Sequence, residues 1–210
     1  VAPTNALDRL LGTNPIAVAV PANGQPDFVL DMATTTAANG KLEIAQRKQI
    51  SIPEGWAQDA AGHSSTDPNA VKNGGALLPL GGATGSHKGY GLGAVVDIFS
   101  AVLSGANYGP WVPPFVAFLQ PLANPVGQGL GHFFGAMRVD AFRPAAEFKA
   151  HMDNWITTFR NAQAVEGKKV LIPGDPERET AAVRLLTGIP LLEAVVKDLE
   201  GVGAKFGVRL

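Results

Sequence analysis

The sequence contains no cysteine, which excludes disulfides, thiolate metal sites and cysteine nucleophiles. It also lacks an excess of either charge. Seventeen basic residues stand against eighteen acidic ones, for a net charge of −1, and no basic run gathers the positive share in one place. That balance argues against nucleic acid or an anionic membrane as partner. No apolar run approaches the length of a membrane span and no signal peptide opens the chain, so a cytoplasmic location is expected. Histidine is scarce. His63, His87, His132 and His151 lack the short spacings that two ligands on one element need, and no metal site is expected.

What is present is an ordinary globular composition, 46% hydrophobic over 210 residues, enough to bury a core. Ile16 to Val20 alternates large and small apolar residues after the turn Thr13-Asn14-Pro15, which predicts a strand. A short connector with an Asn23-Gly24 turn leads to a second strand, Asp27 to Met32, expected to pair antiparallel with the first and to be buried on both faces. Asp31 interrupts its apolar run, and Thr34, Thr35 and Thr36 follow. This polar cluster either contacts a ligand at the strand's exit or caps the helix predicted from Thr36 to Lys48. Residues 56–68 are polar, with short strands expected around Asp59 to Gly62 and His63 in a solvated turn.

The densest signal is Gly81-Gly82-Ala83-Thr84-Gly85-Ser86-His87-Lys88-Gly89-Tyr90-Gly91-Leu92. Five glycines in eleven residues suggest a loop whose backbone curls closely around an anion, or a tight connection that binds nothing. The apolar residues Leu92, Val95, Val96, Phe99, Val102 and Leu103 then predict a central helix, with Gly105 at its C-terminal cap and Asp97 either on its solvent face, the favoured placement, or paired with a nearby base. Proline-rich residues 106–131, with Trp111, Phe115 and Phe118, read as a long ordered loop. His132 to Val139 reads as a strand. Pro144 opens an amphipathic helix with Phe148, Met152, Trp155, Ile156 and Phe159 on its buried face. An extended segment follows at Lys169 to Ile172. Asp175 is the expected N-cap of a helix running to about Gly188, and a last helix spans about Pro190 to Glu200. Strands and helices mix without regular βαβ repetition, which predicts an α+β fold.

Known anion-binding loops fit poorly. A P-loop requires Ser or Thr after its lysine, whereas Gly89 follows Lys88. Gly89, Gly91 and Ala94 match a dinucleotide fingerprint formally, but no acidic residue follows about twenty positions later and the chain there is proline-rich. A serine-hydrolase elbow is absent.

Five segments nevertheless form a recognisable set. Gly12-Thr13-Asn14-Pro15-Ile16-Ala17, Leu30-Asp31-Met32-Ala33-Thr34, Ser86-His87-Lys88-Gly89-Tyr90-Gly91-Leu92, Gly131-His132-Phe133-Phe134 and Ile172-Pro173-Gly174 occur in this order and at these separations. Together they resemble the malate/L-lactate dehydrogenase family, non-Rossmann 2-hydroxyacid oxidoreductases that include sulfolactate, ureidoglycolate and diketogulonate enzymes. The resemblance implies a largely antiparallel, non-Rossmann dinucleotide-binding fold, NAD or NADP as cofactor, a small 2-hydroxy or 2-oxo acid as substrate, and a homodimer. It implies a cofactor-binding domain over residues 1–143 and a C-terminal helical segment over 144–210. Asp31, Met32 and Ala33, His87 and Lys88, and Gly174 and Asp175 are the implied cofactor contacts. It further implies that this chain is the C-terminal three-fifths or so of the family fold. The catalytic histidine would then precede residue 1, with the C-terminal helices facing the N-terminal portion. Two other readings stand beside the dehydrogenase: a cyclic imine carboxylate reductase of the same family, and a nucleotide-binding or oligomerisation module without turnover.

Overall fold

The computed structural model describes residues 1–114 and 123–209. Phe115, Phe118 and Pro121 of the expected long loop therefore lie outside the described residues. The chain divides into two compact units, Val1–Val20 with Val29–Phe148, and Pro21–Phe28 with Lys149–Leu210.

In the first unit β1 (Ile16–Val20) is hydrogen-bonded to β2 (Phe28–Met32) in a two-stranded sheet. β2 is not buried on both faces. Val29 and Asp31 are exposed while Phe28, Leu30 and Met32 are half-buried, the alternation of a strand covered on one side. Helix α1 spans Asn39–Lys48 and starts three residues later than its pattern suggests. The delay has a cause in the threonines. Thr36 gives its N–H to the Leu78 carbonyl and its hydroxyl to the Pro79 carbonyl, and the Thr35 hydroxyl bonds the Ala37 carbonyl, all outside helical geometry.

Three short strands, β3 (Ala57–Gln58), β4 (Ser64–Ser65) and β5 (Ala76–Leu77), form an antiparallel sheet in the order β4-β3-β5. The residues expected to be strand, Asp59 to Gly62, are instead the turn between β3 and β4, because the Asp59 carboxylate accepts the Ala61 and His63 N–H groups. His63 lies exposed on that turn, its Nδ1 3.7 Å from Asp59 Oδ2. The core of the unit joins Ala37, Leu42 and Ala45 to Ile52, Ala57, Ala70 and Leu77. Leu42 is fully buried and contributes about 2 kcal/mol by leaving water.

The glycine-dense stretch is helix rather than loop. α2 runs Gly82–Asp97 and continues as one widened π turn over Ile98–Val102, ending near Gly105, whose φ is +79°. The helix is not central in this chain. Leu92, Val95, Ile98, Phe99, Val102 and Leu103 are all exposed. Asp97 is not simply a solvent-face residue either. It is half-buried and its carboxylate accepts the Gly109 N–H at 3.0 Å; burial raises its pKa, partly opposed by that hydrogen bond. His132 to Val139 is not a strand, because no backbone among the described residues pairs with it. Phe134 and Met137 stand 87% and 83% exposed there.

The second unit packs Ile156 of α3 (Ala145–Arg160) against Ala22 and Ile172, with Phe28 and Met152 alongside. Phe28 meets the Trp155 ring edge-on at 6.0 Å. Of the expected buried face only Ile156 is fully inside; Trp155 and Phe159 stack on each other at 4.2 Å and remain exposed. Asp153 of α3 accepts the N–H groups of Asn23, Gly24 and Gln25 and so holds the turn made there. α4 (Asp175–Thr187) and α5 (Glu193–Phe206) complete the unit. α5 begins three residues later than expected and ends six later, and none of its residues is fully buried.

Candidate active site

α2 carries the largest group of candidate residues, and its glycines divide into two kinds. Gly81 caps the helix at φ +101° and Gly82 opens it at φ +56°, conformations that other residues rarely adopt. A Cβ at Gly89 would stand 2.3 Å from the Leu80 nitrogen, and one at Gly93 would stand 3.0 Å from the Thr34 hydroxyl. These four serve the fold. Gly85 and Gly91 are different, for an added Cβ would meet nothing within 4 Å at either. Inside a helix each is less stable than alanine by roughly 0.5–1 kcal/mol, with no packing reason among the described residues. The helix surface is bare at both positions.

The start of α2 also has donors to spare. The Gly82 N–H reaches the Pro79 carbonyl and the Gly85 N–H the Gly81 carbonyl. The N–H groups of Ala83 and Thr84 find no backbone acceptor among the described residues. This is the positive end of the helix dipole. His87 and Lys88 follow in the second turn, exposed, and their side chains make no hydrogen bond or ion pair among the described residues. Lys88 shares a helix side with Thr84 four residues before it and Gly91 three after. Among the described residues, two N–H groups without an acceptor and an ammonium one turn along form a donor set, beside two bare glycines, that fits a phosphate-bearing cofactor.

The second candidate segment leaves β2. Asp31 is exposed, and Met32 and Ala33 are half-buried. The polar cluster there does not cap α1, whose N-cap is Ala38 without a side-chain hydrogen bond. Thr34 is instead a buried anchor. Its N–H bonds the Thr13 carbonyl at 2.9 Å, its hydroxyl reaches the Asn14 carbonyl at 3.0 Å, and its own carbonyl accepts the Leu80 N–H at 2.9 Å. The Asn14 side chain meanwhile donates to the Gly93 carbonyl within α2 at 2.8 Å. These bonds draw the Asp31-Met32-Ala33 segment and the helix bearing His87 and Lys88 into one neighbourhood. His132 sits apart in sequence and exposed, 6.1 Å from the Phe134 ring, just after Gly131, whose missing Cβ leaves room for the Ser100 carbonyl of the π turn.

Gly174 and Asp175 belong to the second unit. Gly174, at φ +96°, is the N-cap of α4, and Asp175 is its first residue rather than the cap. A Cβ on Gly174 would stand 2.7 Å from Arg178 Nη1, so the glycine lets that guanidinium lie across the helix start. Asp175 is only 8% exposed. Its carboxylate accepts the Ile172 N–H at 2.9 Å, Arg178 at 2.9 Å and Arg160 at 3.0 Å. Burial alone would raise its pKa. The Ile172 N–H and the two guanidinium groups outweigh burial and hold it below the ordinary carboxylate value. Arg160 also donates to Gln25 at 2.6 Å, and Arg178 to the Asp27 carbonyl at 3.2 Å. Asp175 is thus the centre of an ionic knot tying α3 to α4.

Sequence pattern marks Asn14 as part of a turn and Thr34 as part of a polar cluster without showing the bonds they make, and it does not single out Arg160 or Arg178, although the candidate segments depend on all four. At Asn14 the following proline disfavours the right-handed helical backbone. The pairing of Arg160 with Asp175 joins residues fifteen apart on different elements, and no periodicity reports it.

The sequence profile of the malate/L-lactate dehydrogenase family matches residues 1–200. The chain is 40% identical over its whole length to a malate dehydrogenase of Pyrococcus abyssi, of which it covers 56%. It is 42% identical over 204 residues to a Delta(1)-pyrroline-2-carboxylate reductase of Agrobacterium fabrum, covering 95% of this chain and 54% of that one. The crystal structure of malate dehydrogenase from Entamoeba histolytica superposes with a TM-score of 0.79 at 30% identity, over 96% of this chain and 56% of that one. The chain thus spans about half the length of the relatives it matches. With the profile and these identities running through both units, the chain belongs to the malate/L-lactate dehydrogenase family.

Proposed function

We propose that the chain is the cofactor-binding part of an NAD(P)-dependent oxidoreductase acting on a small 2-hydroxy or 2-oxo acid, with malate or L-lactate as the type of substrate. The observation that carries this reading is the family match over residues 1–200. A bound nicotinamide supplies the acceptor or donor of the hydride exchanged with the C2 carbon of such an acid. The chain's own part is to hold that cofactor. Lys88 neutralises phosphate charge from the second turn of α2, and the Ala83 and Thr84 N–H groups donate to phosphate oxygens. His87 adds a second polar contact, and Gly85 and Gly91 keep the surface bare for the approach. Asp31, Met32 and Ala33 contact the nucleotide from the exit of β2, its exposed carboxylate suited to a ribose hydroxyl. Gly174 and Asp175 form a third contact, with Asp175 acting mainly through the arginines it holds.

None of His63, His87, His132 and His151 is assigned the acid/base role. The exposed apolar surface along α2 and the π turn supports a homodimer. A second reading, reduction of a cyclic imine carboxylate, is favoured by the 42% identity to the pyrroline-2-carboxylate reductase. Replacing Lys88 by alanine should raise the NAD(P)H dissociation constant about tenfold, the loss of one charge-assisted contact. Lys168→Ala, an exposed control, should leave it unchanged. Equal affinities in a fluorescence titration would refute the cofactor assignment. A panel of 2-oxo acids and cyclic imines, tested with both cofactors on a chain of the relatives' full length, separates the two substrate readings.

A further inference from the structure

We propose that Asn14 is a positioning residue for the cofactor site, a latch that sets where α2 presents Lys88 and its free N–H groups relative to Asp31-Met32-Ala33. The proposal rests on the nucleotide reading of α2 given above. Asn14 holds left-handed backbone, φ +40°, a conformation that asparagine tolerates and most residues resist. Pro15 after it disfavours the right-handed alternative. Such strained backbone persists only where its surroundings over-determine it, and here two long-range bonds do so. The side chain donates to the Gly93 carbonyl in the middle of α2, 79 residues away in the chain. The backbone carbonyl of the same residue receives the Thr34 hydroxyl, 20 residues away. Gly12 completes the fit, since a Cβ there would stand 2.9 Å from Asn14 Oδ1.

One residue therefore grips the helix with its side chain and the strand exit with its backbone. The grip falls five residues past Lys88, about 7.5 Å along the helix axis. It acts on the flank of α2 rather than at its end, so it opposes both rotation about the axis and sliding along it. A helix free to turn by one residue would swing Lys88 by about 100° around the axis. Gly93 allows Thr34 to approach closely, since a Cβ there would stand 3.0 Å from the Thr34 hydroxyl, but it supplies no such directional bond.

The test uses Asn14→Asp, which keeps the shape and the tolerance of left-handed backbone but loses the donor. Asn14→Gly is added, which accepts the same backbone without introducing a negative charge. In both, amide exchange over residues 83–95 should quicken while exchange over residues 171–187 stays as in the parent. The NADH dissociation constant should rise about fivefold, the factor that one neutral hydrogen bond is worth. In a Lys88→Ala background the same changes should have less than their full effect, because the latch acts through the placement of that lysine. Unchanged exchange over 83–95 overturns the latch. Quickened exchange with unchanged NADH affinity, or full additivity with Lys88→Ala, reduces Asn14 to a purely structural residue and overturns the positioning claim. If the parent chain itself fails to bind NADH, the nucleotide reading falls first and the positioning claim with it; a parent that binds beside variants that bind equally well sinks the latch alone.

Discussion

Replacing Asp175 by asparagine should loosen the second unit while leaving the first intact. The carboxylate accepts one backbone N–H and faces two guanidinium groups, with 8% of the residue exposed. Asparagine keeps the shape and can still accept the Ile172 N–H. The negative charge is lost, and Arg160 and Arg178 are left facing each other across a neutral amide. Removing one partner of a fully buried pair destabilises by about 3–5 kcal/mol. The arginine side chains are 33% and 36% exposed, so water screens what remains and the expected loss falls to roughly 2 kcal/mol. That is about a thirtyfold increase in the open population of the segment. Hydrogen exchange read on peptides from residues 149–160 and 171–187 should quicken by that order, while peptides from residues 39–58 and 82–97 should not change.

The pH dependence carries the sign. The folded carboxyl titrates below its unfolded value, so its stabilisation is fully present above an unfolded pKa of about 3.9. It is lost as pH falls through the folded value. The gap between parent and Asp175→Asn should therefore be widest near neutrality and close progressively below about pH 4. A gap that stayed constant down to low pH would refute the ionic knot. Unchanged exchange joined to weakened cofactor binding would show instead that the carboxylate is a direct ligand contact and not an anchor.

Asp97 has the opposite sign: its folded pKa is raised, so ionisation opposes folding as pH rises past the unfolded value. Asp97→Asn, which can still accept the Gly109 N–H, should hold or raise the melting temperature at pH 7, whereas Asp97→Ala should cost about 1 kcal/mol for the abandoned donor. On α2, Gly91→Ala should stabilise the helix by about 0.5–1 kcal/mol, because the new methyl meets open space. Gly89→Ala should lower the melting temperature sharply, because its methyl would press on the Leu80 backbone. Equal melting temperatures for those two variants would contradict the helix packing. Asp153→Asn should quicken exchange at Asn23, Gly24 and Gln25, whose N–H groups all turn to that carboxylate.

The elements that sequence pattern located well are those whose cause is local. α3 and α4 follow from apolar spacing and from proline or glycine at their ends, and β1 from strict alternation between two turns. The misplacements arise where the cause is distant. Thr35 and Thr36 look like helix-starting residues, but carbonyls near residue 79 claim the Thr36 side chain and backbone first. The glycines of α2 look like a loop because glycine is a poor helix former. Four of the six from Gly81 to Gly93 are there because the cap geometry or a neighbouring chain segment leaves no room for a Cβ, a reason that exists only after folding. The site divides the same way. His87, Lys88 and Asp31 enter as candidates through the five family segments rather than through any periodicity, and the fold leaves all three exposed. Asn14 and Arg160 become visible only with their partners, 79 and 15 residues away. Helical periodicity also reports which side of an element is apolar and not what covers it. The stripe from Leu92 through Val95 to Phe99 has the spacing of a buried face and yet stands exposed. An apolar stripe of that length is unfavourable in water. Leu92 and Val95 follow Lys88 by four and seven residues, so the exposed stripe lies on the same helix face as that lysine, and the proposed cofactor contact and the uncovered apolar surface sit side by side.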